Sequence, residues 1–106
     1  MKPPAVVAAL EEALGQLGVR VRRERGPFRG GLCTVDGEAV VVLNRAQPAE
    51  AQLAVLARAV RACDHDGLYL RPAVRAALDD AWAAADAGRD ADGGGADAGG
   101  AGPDAA

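Results

Sequence analysis

Two thiols and one imidazole are the side chains of this 106-residue chain whose types invite a chemical reading. They are Cys33, Cys63 and His65, with Asp64 and Asp66 on either side of the histidine. A carboxylate can orient an imidazole as a general base, and a nearby thiol could then serve as nucleophile. Adjacent residues at a helix end seldom point at one another, however, and a histidine near a helix C-terminus is already well placed against the helix dipole. No Ser or Lys sits at a motif spacing that would make a nucleophile of it, which leaves Cys33 and Cys63. Neither belongs to a CxxC pair of the kind that activates a thiol, and both fall on apolar stripes, so they read as buried structural groups. A redox couple, or a metal site completed by Asp64 and His65, are the alternatives.

Five arginines, Arg20, Arg22, Arg23, Arg25 and Arg29, fall within ten residues and form a local basic edge. Such an edge could meet RNA, a phosphorylated partner or an acidic protein surface, the chain's own C-terminal segment included. Phe28 is the one aromatic nearby, too little for the stacking platform that single-stranded nucleic acid requires. A solvated strand face or a protein contact is the better expectation. Gly30-Gly31 is followed by a strand rather than a helix, unlike a phosphate-binding P-loop, so it reads as a bulge or close backbone approach.

The elements that must position these groups are legible in part. Val6, Leu10, Leu14 and Leu17 recur at helical spacing over Ala5 to Leu17, with Gly18 available as a C′ residue. Val19 to Arg22 alternates with period two, and Gly26-Pro27 ends that strand. Leu32 to Val35 and Glu38 to Asn44 flank Asp36-Gly37, a strong type I′ hairpin signal. A two-residue loop places Val35 opposite Glu38 and Cys33 opposite Val40. Cys33, Val35, Val40 and Val42 then share one face, with Leu32, Thr34, Ala39, Val41 and Leu43 on the other. Strands apolar on both sides are usually central or covered by helices on each side. Pro48 suits the first position of a second helix, whose stripe is Leu53, Leu56, Val60 and Cys63. Pro72 starts a third, with Val74, Leu78, Ala81 and Trp82 on its buried side.

Composition limits what this core can do. One Phe, one Tyr, one Trp and one Met leave Val, Leu and Ala to fill it, and a deep ligand pocket is hard to line with those. Residues 1 to 87 balance eleven Lys/Arg against eleven Asp/Glu, while the remainder sets Arg89 against Asp90, Asp92, Asp97 and Asp104. That balance lacks the excess of cations that drives nonspecific nucleic-acid binding. Residues 88 to 106 hold seven glycines and no large apolar side chain, and are expected to be disordered. The apolar run Ala5 to Leu10 is too short for a signal or a membrane span. Two cysteines thirty residues apart and no signal segment point to the cytoplasm.

Val40-Val41-Val42-Leu43-Asn44, followed by the helical run Val55-Leu56-Ala57-Arg58-Ala59-Val60-Arg61-Ala62, resembles the small zincin-like core of the ImmA/IrrE-type metallopeptidases. In that family a strand ending in Asn leads to a helix bearing HExxH. The resemblance covers about residues 19 to 66 and implies an inactive version, because its histidine positions are held by Arg58 and Ala62 and its glutamate position by Ala59. Zinc hydrolysis needs two imidazoles one helical turn apart and a carboxylate to take the proton from the metal-bound water. Phe28 to Cys33 and Tyr69 to Arg75 also look like a group of short bacterial proteins on the same helix, hairpin, helix plan. That second resemblance implies a shared scaffold and carries no activity with it.

The expectation is therefore a single α+β domain over residues 1 to 87, with an acidic tail over 88 to 106. A small three-stranded, mainly antiparallel sheet is covered by the first two helices, and the third packs on its end. The expected function is a bacterial, non-enzymatic protein-interaction scaffold without metal or cofactor. It would contact another protein, or itself as a homodimer, through surplus apolar hairpin surface. The competing expectation is a thiol- or His-dependent enzyme or metal site using Cys33, Cys63 and His65, which would require the three to converge.

Overall fold

A helix that begins on two prolines and ends on a glycine sets up the first turn of the chain. In the computed structural model, which describes residues 1–91, α1 spans Pro3–Gln16 and buries Val6, Val7, Leu10, Ala13 and Leu14. It starts two residues before the apolar spacing does, because proline's fixed φ suits the first turn and its missing N–H is not needed there. Leu17 caps the helix, and Gly18, at φ 84°, donates its N–H to the Gly15 carbonyl while Val19 donates to the Leu14 carbonyl. These are the two bonds of a Schellman motif, and Leu14 and Val19 supply its buried apolar pair.

The reversal delivers the chain into β1 (Arg20–Glu24), followed by β2 (Gly30–Val35) and β3 (Glu38–Asn44). Asp36 and Gly37 both take positive φ, 53° and 82°, as a type I′ turn demands. The hairpin register is the one the turn length dictates, with Val35 opposite Glu38 and Cys33 opposite Val40. β1 lies on the other side of β3 and runs parallel to it, Arg20 beside Val40 and Glu24 beside Asn44, so the strand order is β1-β3-β2. The sheet is thus mixed rather than mainly antiparallel. β3, the most apolar strand on both faces, takes the centre, and the charged β1 is left an edge.

Gly30 makes this hairpin possible. Its φ is 93°, and a Cβ there would sit 2.3 Å from the Val42 carbonyl oxygen, so only glycine lets β2 approach β3 at that point.

α2 (Ala49–Ala62) and α3 (Pro72–Ala91) complete the described fold. Pro48 stands at the N-cap of α2 rather than inside it. Val41 and Leu43 pack with Leu10, Leu14, Leu56 and Val60 in one core, joined by Val74 and Leu78 of α3. All of these strand residues lie on a single face, so α1 and α2 cover one side of the sheet only. Of the two arrangements that suit a strand apolar on both faces, β3 takes the central one, and the first two helices cover the sheet from one side as expected. α3 contacts α2 and α1 and extends that helical layer. It runs to Ala91, past the expected boundary at Gly88, and residues 92–106 of the expected tail lie outside the described residues.

Candidate functional site

With one sheet face covered, the chemistry of the other face and of the two edges follows from the register. Arg20, Arg22, Glu24, Glu38, Val40, Val42, Cys33 and Val35 share the uncovered face. Val40, in the central strand between Arg20 and Cys33, is 3% exposed, whereas Val35 at the edge is 46% exposed. The four residues Leu32 to Val35 are all exposed, three of them apolar, and β2 carries no charge. β2 is therefore an edge strand with greasy side chains on both faces and a row of backbone groups that meets no further strand among the described residues. Such an edge is a template for pairing unless something guards it.

The opposite edge is guarded. Four of the five residues of β1 are charged and exposed. Arg20 lies 3.6 Å from Glu38, Arg22 bonds Glu24, and Arg23 bonds Glu11 of α1. Three of the five arginines of the expected basic edge are thus neutralised locally, and they do not act as one cationic patch. Arg25 and Arg29 are exposed and make no ion pair among the described residues.

Asn44 organises the loop between β1 and β2. It is 3% exposed, the one buried polar residue of the described core. Its Nδ2 donates to the Gly26 carbonyl at 2.6 Å and to the Phe28 carbonyl, and its Oδ1 accepts from the Ala46 N–H at 2.9 Å. Three satisfied bonds explain why an amide is tolerated there. The strand-ending Asn therefore pins Gly26 and Phe28 ahead of β2.

Cys33, Cys63 and His65 are not brought together. Cys33 is exposed on the uncovered face, which corrects the expectation of a buried thiol: its stripe is apolar, but no helix covers it. Cys63 is half-buried and packs against the core on the helical side, so the sheet separates the two sulfurs. His65 lies with its Nδ1 2.9 Å from the Cys63 carbonyl oxygen and its ring 5.4 Å from that of Trp82, while Asp64 and Asp66 are exposed. Among the described residues no group of three His, Cys, Asp or Glu side chains is placed to hold a metal. On α2, Arg58 and Ala62 are exposed and Ala59 is buried in the core.

A cluster around Trp82 went unnoticed in the sequence. Trp82 Nε1 donates to the Ala57 carbonyl at 2.7 Å, with the guanidinium carbons of Arg61 and Arg75 5.3 Å and 5.6 Å from its ring centroid. Arg61 also forks onto Asp86 at 3.0 Å and 3.1 Å. Hydrogen bonding to Asp86 raises the guanidinium above its ordinary pKa, partial desolvation opposes the rise, and charge attraction to Asp86 adds to it. Arg75, Asp79, Trp82 and Asp86 recur every three or four residues, the one signal that could have revealed this stripe. Its effect is to clamp α3 on α2. A shallow groove of about 310 Å³ between the helices is lined mainly by apolar side chains such as Val6, Leu53 and Ala81, with the exposed carboxylates of Glu50 and Asp80. No helix among the described residues is long and apolar enough to cross a membrane.

No protein-family model matches the chain, and neither does any curated protein or solved structure.

Proposed function

We propose that this chain is a cytoplasmic, non-enzymatic protein-interaction module that receives an extended segment of a partner along the open edge of β2. The observation that carries this reading is the asymmetry of the sheet. One edge is dressed with Arg and Glu, while the other presents Leu32, Cys33 and Val35 without a charge. Strand addition draws affinity from main-chain hydrogen bonds and specificity from alternate side chains, and both are on offer at β2. The inactive zincin-like core belongs to the same reading. α2 offers a guanidinium and a methyl group where that family has its histidines, and a buried methyl group where it has the glutamate.

A photo-crosslinking residue placed at Thr34 of β2 or at Arg22 of β1 in the full chain tests the reading. Protein adducts are expected from position 34 and not from position 22. Adducts from neither edge, stoichiometric zinc in purified protein, or peptide cleavage abolished by a chelator would overturn it.

A further inference from the structure

Resting on β2 as the docking edge, we propose that the segment it receives is β2 of a second copy of this chain. The two strands pair antiparallel about a two-fold axis into one six-stranded sheet. Strand order across the dimer is β1-β3-β2, then β2-β3-β1 of the mate, with both charged β1 strands at the outer ends.

Period-two geometry restricts the register. A two-fold axis perpendicular to the sheet keeps each face on its own side, so only residues of equal parity can stand opposite one another. Centring the axis on Cys33 sets that thiol against its own mate, Leu32 against Thr34, and Val35 against Gly31. The last pair is complementary in volume. Val35 is 46% exposed, and a Cβ built on Gly31 meets nothing within 4 Å, so the valine of one copy can cover the glycine of the other.

Charge selects the same arrangement. Arg29 immediately precedes β2 and Asp36 immediately follows it; both are exposed and neither makes an ion pair among the described residues. In that register Arg29 of one copy falls opposite Gly37 of the other, one residue from Asp36 and within the reach of a guanidinium, at both ends of the interface. Parallel pairing would set Arg29 beside Arg29, and an antiparallel join of two β1 edges centred on Arg22 would set that arginine against its equivalent. The contact is isologous and closes at two copies. With six residues a side it belongs to the small interface class, so dissociation on the order of micromolar is expected.

Sedimentation velocity of the full chain over a concentration series, together with oxidation by diamide, tests the proposal. Diamide takes up the two electrons and two protons released when two thiols join. A reversible species of twice the 10.7 kDa chain mass is expected. Diamide should trap it as a disulfide-linked dimer, lost in Cys33→Ser and kept in Cys63→Ser. Val35→Lys and Arg29→Glu, both on exposed positions, should each weaken the dimer at least tenfold while leaving the far-UV spectrum unchanged. A dimer that links through Cys63, or that tolerates Val35→Lys, overturns the proposal. A monomer at all concentrations whose position-34 crosslinker captures a different protein overturns the second copy and leaves the β2 edge standing, whereas a monomer with no adduct removes both.

Discussion

Replacing Gly30 with alanine should remove a large share of what holds this domain folded. Its φ of 93° is a conformation that L side chains rarely adopt, a strain of about 1 to 3 kcal/mol. The added Cβ would also lie 2.3 Å from the Val42 carbonyl oxygen and 3.5 Å from the Leu43 Cα, backbone atoms of the central strand that cannot swing aside as a side chain tip would. Relief requires β2 to move away from β3, which weakens the Gly30 and Leu43 pairing at the mouth of the hairpin. Strain and overlap together put the loss at about 3 kcal/mol or more, against a total of about 5 to 10 kcal/mol for a domain of this size. Urea unfolding followed by the fluorescence of Trp82, the single tryptophan, reads this directly. With a slope of about 1 to 1.5 kcal/mol per molar, the midpoint should fall by roughly 2 M or more at unchanged slope. Gly15→Ala supplies the control of opposite sign, because that helical glycine has open space around it and alanine should stabilise by about 0.5 to 1 kcal/mol. A Gly30→Ala midpoint within 0.5 M of the parent, about half a kcal/mol on that slope, would refute the account of the hairpin entrance.

Asn44→Ala should cost about 2 to 4 kcal/mol, since it strands the Gly26 and Phe28 carbonyls and the Ala46 N–H. Hydrogen exchange should then accelerate through residues 25 to 29 ahead of the α1 core, and equal protection in both proteins would contradict the pinning role. A disulfide-exchange reagent under native conditions should modify one thiol rapidly, lost in Cys33→Ser, and the half-buried second more slowly. Equal rates for the two would contradict the one-sided cover of the sheet. Trp82→Phe should cost about 1 to 2 kcal/mol through loss of the bond to the Ala57 carbonyl, measured by the same unfolding followed in circular dichroism. An unchanged midpoint would sink the clamp between α2 and α3.

Local chemistry determined much of this molecule from the sequence. Asp36-Gly37 specifies a turn because two successive residues must take positive φ, and that turn sets the pairing of Cys33 with Val40. Gly18 closes α1 because its backbone alone decides whether the Schellman bonds form. The stripes Val6, Leu10, Leu14 and Leu53, Leu56, Val60 announce helices through spacing that needs no knowledge of the partner they pack on.

Tertiary structure decided what no short window contains. A hairpin apolar on both faces does not reveal which face the helices cover, and only their packing on Val41 and Leu43 leaves Cys33 and Val35 in solvent. The placement of β1 beside β3, and hence which edge is charged and which is open, depends on a contact between segments some twenty residues apart. Trp82 finds Ala57 and Arg61 finds Asp86 across twenty-five residues for the same reason. Backbone preference and periodicity act between near neighbours and are written in the order of residues. The choice of covered face, of edge and of cross-helix partner depends on how all the elements share one small core, and that is settled only when they meet.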